Sequence, residues 1–121
     1  MEQYIKLTTA LRLFNEYGIH NVIDMELNSY GNVEFECAFS SHENLFYDVK
    51  GVIINNAIIE KTIITDENGN NIYQMRIIQN TQNMSINYDT LEELEHKFNN
   101  IKKNRTKLSL EKTKIKKITF R

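Results

Sequence analysis

Between residues 22 and 79 the chain changes character every few residues. Short alternations of apolar and polar side chains are cut by clusters of Asn, Asp, Gly and Ser. The connections are far shorter than the dozen or so residues a parallel crossover needs, so the segments must pair as antiparallel neighbours. Ile23, Met25 and Leu27 alternate with Asp24, Glu26 and Asn28, and Val33, Phe35, Cys37 and Phe39 alternate with Glu34, Glu36 and Ala38. That period of two marks half-buried strands. Residues 45–54 and 57–65 read as two further Ile-rich strands with looser alternation, and 72–79 as a fifth. Thr81–Asn87 reads as a polar connection.

Turn chemistry sets the register of two hairpins. Ser29-Tyr30-Gly31 fits a three-residue loop with Gly in the left-handed third position. Leu27 then pairs with Val33, Met25 with Phe35 and Ile23 with Cys37 on the apolar face. On the other face Glu26 meets Glu34 and Asp24 meets Glu36. In the hairpin around Asp66–Asn71, a three-residue loop ending at Gly69 sets Glu60 opposite Arg76 and Ile63 opposite Tyr73. A two-residue turn would set Lys61 against Arg76, and opposite charges across a ladder are the favourable choice.

Helices are expected on either side of this meander. Tyr4, Leu7, Leu11, Phe14 and Gly18 recur at helical spacing over residues 3–17, with Ile5, Ala10 and Leu13 widening a stripe that should pack in the core. Thr90-Leu91-Glu92-Glu93 is a capping box ahead of Leu91, Leu94, Phe98 and Ile101. Residues 106–121 carry both patterns, and Thr113, Ile115, Ile118, Thr119 and Phe120 favour a strand. The expected fold is α+β: a two-layer domain over residues 1–121 with an N-terminal helix, a five-stranded antiparallel meander, a C-terminal amphipathic helix and a short basic terminal strand. Both helices should cover one face of the sheet.

Charge divides the chain. The formal sum is −1, yet residues 1–101 hold 6 basic and 15 acidic side chains, while 102–121 hold 9 basic and 1 acidic. An acidic body thus precedes a basic segment made of Lys102, Lys103, Arg105, Lys107, Lys112, Lys114, Lys116, Lys117 and Arg121. Asp24, Glu26, Glu34 and Glu36 converge on one strand face, which costs stability unless cations answer them. Either solvent screens that face, or the basic segment lies against it, or it is a docking surface for a basic partner. The basic segment could itself contact phosphates or an acidic protein. With two Arg and one aromatic, it is poorly equipped to read bases.

Catalytic signatures are not evident in the sequence. Four scattered Gly make no phosphate loop. The lone Cys37 lies on an apolar strand face, and His20, His42 and His96 show no metal-ligand spacing. Glu93-x-x-His96 matches half of a di-iron helix motif without its counterpart. Scattered residues such as Tyr30, His42 and Tyr47 are what an enzymatic site would have to assemble from. Neither a cofactor nor a metal is expected.

The single Cys, the absence of a basic leader after Met1 and the lack of any apolar run near ~18 residues point to a cytoplasmic protein without a membrane segment. Asn, Ile and Lys make up 43 of 121 residues and Pro is absent, which fits an A/T-rich genome. The expectation is a non-catalytic binding or inhibitor protein of the anti-defence or immunity type. It would come from a phage or other mobile element of an AT-rich bacterium and act by stoichiometric binding to a host protein or complex. The alternative is a nucleic-acid accessory protein using residues 102–121. A free strand edge would allow a homodimer.

Overall fold

A computed structural model describes residues 5–112, with side chains placed as far as Lys102. The order is α1 (Leu7–Tyr17), β1 (Val22–Leu27), β2 (Val33–Ser40), β3 (Phe46–Ile54), β4 (Ala57–Thr65), β5 (Asn71–Gln79), β6 (Gln82–Tyr88) and α2 (Leu91–Lys112). The six strands form one antiparallel sheet whose spatial order follows the chain, β1-β2-β3-β4-β5-β6. The α+β class and the meander agree with the sequence; the strand number does not.

Tight turns explain why no strand leaves its neighbour. Gly31, Asn44 and Gly69 close the β1–β2, β2–β3 and β4–β5 loops with φ of 83°, 60° and 83°, the left-handed region open to Gly and Asn. Asn55 and Asn56, at φ 49° and 68°, form the two-residue β3–β4 turn with both central residues left-handed. Asn80, at φ 56°, opens the two-residue β5–β6 turn between Gln79 and Gln82. The high Asn content is put to use at four of these positions.

The missed strand is β6. Gln82, Asn83, Ser85 and Asn87 give it the composition of a loop, and six of its seven residues are exposed. It is held by a seven-pair register with β5, from Gln79↔Gln82 to Tyr73↔Tyr88, so pairing outweighs propensity here. The Met84–Ile86–Tyr88 alternation was the available signal.

The helices lie on opposite faces of the sheet, not on one. Leu13 and Tyr17 of α1 pack with Val33, Phe35, Cys37, Val49 and Ile58. Leu94 and Phe98 of α2 pack with Val52, Ile54, Ile59 and Met75, flanked by Leu91 and Ile101. Ile58 and Ile59 are adjacent in β4 and therefore face opposite ways. Strands β3 and β4 are covered on both sides, which is why their apolar residues run together instead of alternating.

Three further expectations are corrected. The packed side of α1 is centred on Leu13 and Tyr17, whereas Leu7 and Leu11 face solvent. A register shift between Val22 and Asp24 puts Val22 opposite Cys37, so Ile23 is 64% exposed where a buried pair was expected. Residues 106–112 continue α2 instead of forming a strand. Nothing between Ile101 and Lys112 breaks the helix, since Lys, Arg, Leu and Glu propagate it well and neither Gly nor Pro interrupts. Residues 113–121 of the expected strand lie outside the described residues.

Candidate functional site

Sheet register carries the four carboxylates to one place. Glu26 pairs with Glu34 and Asp24 with Glu36, as the three-residue turn requires. The ladders extend each row across the face under α2. One row runs Asp24, Glu36, Lys50, Lys61, Met75, Ile86, and the next runs Glu26, Glu34, Val52, Ile59, Ile77, Met84. The face thus grades from acidic at β1 and β2, through lysines in one row and apolar side chains in the other at β3 and β4, to apolar at β6.

Helix α2 completes the acidic end. Thr90 caps it: its hydroxyl oxygen accepts the Glu93 N–H at 3.2 Å. Anchored by Leu94 and Phe98, the helix sets Lys102 over β2, where its Nζ lies 3.1 Å from Glu34 Oε1. Asn28 donates to the other Glu34 oxygen at 2.9 Å. Lys50 lies 3.7 Å from Glu36, and Lys61 3.3 Å from Glu95 of α2. Two cations lie over the Phe98 ring, Lys61 and Lys102 at 5.7 and 5.6 Å from its centroid. All four carboxylates, with Lys50, Lys61 and Lys102, border a cleft of about 120 Å³.

Within the cleft the charges are answered unequally. Glu34 and Glu36 have lysines. Asp24 and Glu26 are exposed on the edge strand, and among the described residues no ion pair reaches either. Of the basic segment, Lys102 docks on the acidic face. Lys103, Arg105, Lys107 and Lys112 lie in the continuation of α2, while Lys114, Lys116, Lys117 and Arg121 lie outside the described residues.

The opposite face holds a buried polar centre. Glu60 is 2% exposed, and Arg76 grips its two oxygens with Nε at 2.9 Å and Nη2 at 2.8 Å. Tyr17 donates its hydroxyl to the same carboxylate, and Thr62 donates to it at 3.4 Å. The Glu60↔Arg76 register is the one that charge pairing selects; that Tyr17 reaches it from α1 could not be read from local spacing. Burial, reinforced by the Glu60 charge, pushes the Tyr17 phenol well above its ordinary range. The bond to Glu60 likewise raises the Arg76 guanidinium. Arg76 spends Nε and Nη2 on Glu60, and the pair, with Tyr17, forms part of the wall of a groove that Tyr47, Gln74 and Glu16 also line.

Other residues with reactive side chains stay apart. Tyr30 and His42 sit in the loops at opposite ends of β2, and Tyr47 lies in β3. His96 is exposed on α2 and lies 3.1 Å from the Asn100 amide. Cys37 is fully buried, and burial pushes its thiol from 9.0 up to about 12, which suits a packed apolar side chain better than a nucleophile. Among the described residues no group of three or more His, Cys, Asp or Glu could hold a metal ion, and no helix is long and apolar enough to cross a membrane. Comparison with protein-family models, with curated proteins and with solved structures finds no match.

Proposed function

We propose that this chain is a non-catalytic binding protein that acts by stoichiometric occupancy of a basic protein partner. Its composition suits a phage or other mobile element of an AT-rich bacterium, and the partner would be a host protein. The observation that carries this reading is the unequal neutralisation of the acidic cleft. Glu34 and Glu36 are paired with Lys102 and Lys50. Asp24 and Glu26 stand outside those pairs on the edge strand, in a body carrying 15 acidic against 6 basic side chains over residues 1–101. Such a field steers a cationic surface to the β1 edge, and it does so most strongly at low salt. Exposed Ile23, between Val22 and Asp24, adds an apolar contact at the same edge.

The test is capture of partners from a lysate of an A/T-rich bacterium across a salt series, with and without nuclease. Wild-type chain should retain a protein in near 1:1 amount at low salt, and the double variant Asp24→Lys/Glu26→Lys should lose it. Equal retention by that variant, or no retained protein at low salt, refutes the reading. Capture that vanishes with nuclease would instead favour phosphate contact through residues 102–121. That alternative draws on α2 continuing through Lys112, which places Lys103, Arg105 and Lys107 on one regular element.

A further inference from the structure

The outer side of β6 is a sheet edge of a different kind. Its seven residues, Gln82 to Tyr88, include no charge and no Pro, and no described element lies beyond it in the sheet. These are the features that edge strands normally use against self-pairing, and β6 lacks them. Its backbone alternation can be derived from the turn. A two-residue hairpin makes Gln79↔Gln82 a hydrogen-bonded pair, and such pairs alternate along an antiparallel ladder. Gln82, Met84, Ile86 and Tyr88 therefore turn their N–H and C=O groups towards β5. Asn83, Ser85 and Asn87 turn theirs outward.

We infer that β6 pairs with β6 of a second copy of this chain, antiparallel about a two-fold axis at Ser85, to give a continuous twelve-stranded sheet. In that register Ser85 faces Ser85, Asn83 faces Asn87 and Met84 faces Ile86. Each outward-facing residue then falls in a hydrogen-bonded pair, about six backbone hydrogen bonds in all. Face matches face: Asn and Ser meet on the side of α1, while Met84 (54% exposed) and Ile86 (39% exposed) cover each other on the side of α2. Gln82 of one copy lies opposite Tyr88 of the other, whose ring is thereby brought to a groove of about 340 Å³ lined by Ile77, Gln79, Gln82, Asn83 and Met84.

A strand register that is polar against polar and apolar against apolar under its own two-fold is the isologous condition a dimer requires. No partner of another sequence is needed to satisfy it. The opposite edge could not do the same, because β1 against β1 would bring Asp24 and Glu26 of both copies together. The contact is one strand wide, at the small end of specific interfaces, so the dimer should form reversibly in the micromolar range.

Sedimentation of the full chain, from about 1 µM to about 1 mM, tests this. The wild-type mass should rise from 14.3 kDa towards twice that value. Ser85→Pro removes an outward donor but no bond to β5, so it should stay monomeric with an unchanged far-UV spectrum. Asn83→Lys/Asn87→Lys and Asn83→Glu/Asn87→Glu should each be monomeric alone and form a heterodimer when mixed, because only this register sets 83 against 87 twice. A wild type that stays at 14.3 kDa throughout, a Ser85→Pro chain that still dimerises, or a mixture that does not associate would each overturn the inference. Asp24→Lys/Glu26→Lys should dimerise like wild type, so failure here is distinguishable from failure of partner binding at β1.

Discussion

The two edges of the sheet are built in opposite ways. Strand β1 is short, carries Asp24 and Glu26, and is bent by a register shift after Val22. Strand β6 is regular, uncharged and in unbroken register with β5. Charge and irregularity at β1 prevent another strand from adding there, and the same carboxylates leave a field that attracts a cationic surface. At β6 the backbone itself is the available group. In the proposed readings, one edge would take a partner of opposite charge and the other a copy of the chain. A dimer through β6 would place the two acidic edges at the far ends of one sheet, presenting two equivalent sites to a multivalent target.

A single row on the α1 face joins the edges: Met25, Phe35, Gly51, Glu60, Arg76, Ser85. Breaking it should have the largest effect. Arg76→Met leaves the Glu60 carboxylate without its cation, and losing one partner of a buried pair costs about 3–5 kcal/mol. Arg76 is itself 34% exposed, so the loss should fall at the low end of that range, read from urea unfolding. The triple variant Tyr17→Phe/Glu60→Leu/Arg76→Leu should recover most of it, because it removes the charge together with its Arg76 and Tyr17 donors and leaves only the longer Thr62 contact to lose. The same centre sets an alkaline limit. The folded state raises the Tyr17 phenol and lifts the Cys37 thiol from 9.0 to about 12. Unfolded chains therefore ionise first, and stability that is complete below pH 9 should decline as pH rises from 9 towards 12. Denaturant midpoints measured across that window check the sign, and iodoacetamide should label Cys37 only after unfolding.

Next in size is Gly51→Ala. The Phe35 ring lies across Gly51, and an added Cβ would sit 2.3 Å from Phe35 Cζ and 3.0 Å from the Ile59 carbonyl oxygen. The buried ring has little room to retreat, so overpacking should cost about 1–3 kcal/mol. The effect should appear as a lower melting temperature, while dimerisation and partner capture per folded molecule stay unchanged. An equal loss of stability and of dimer affinity would mean that the edges are coupled through the row.

How much of this was legible differs by region. The β1–β2 register from Asp24 to Leu27 and the β4–β5 register followed from Gly31 and Gly69, because a left-handed third loop position fixes the residue count and cross-strand charges select between alternatives; the shift before Asp24 lies beyond what the turn determines. The converging carboxylates came with the first register. The expectation that both helices cover one face was wrong, although Ile53-Ile54, Ile58-Ile59 and Ile63-Ile64 hold the signal of a sheet covered on both sides. Strand β6 was hidden because an exposed edge strand has no buried face to pattern its polar residues. The Lys102 contact with Glu34 and the reach of Tyr17 to Glu60 depend on where a helix docks, 68 and 43 residues away in sequence, and no local rule contains that. Residues 106–112 misled for a related reason: Leu108 and Leu110 alternate as in a strand, but they lie in the continuation of a helix already nucleated by Thr90.

Charge changes on the acidic face of β1 and β2 should separate the cleft's structural half from its free half. Glu34→Lys removes the acceptor of Lys102 and Asn28 and sets a second cation beside Lys102, whose Nζ in the wild type lies 3.1 Å from the Glu34 carboxylate. Both partners are about one-quarter to one-third exposed, so solvent screening limits the loss to about 1 kcal/mol. Glu34→Lys/Lys102→Glu should return part of it. A stability gain from Glu34→Lys would contradict the docked lysine.

The smallest effect on stability belongs to Asp24 and Glu26, and it should have the opposite sign. Glu26 faces Glu34 and Asp24 faces Glu36 across the ladder, and among the described residues neither has a cation of its own. Reversing either charge relieves a cross-strand repulsion worth a few tenths of a kcal/mol and creates an opposite-charge pair. Asp24→Lys or Glu26→Lys should therefore leave the melting temperature equal or slightly higher. Raising salt should narrow even that difference, since exposed charges are screened over about 8 Å at physiological ionic strength. A substitution that stabilises the fold while abolishing partner capture would show that the wild-type carboxylates are kept at β1 against their own stability. A loss of stability instead would mean that the basic residues after Lys102 already answer them within the chain, and the β1 edge would then be a self-satisfied surface like its neighbour at Glu34.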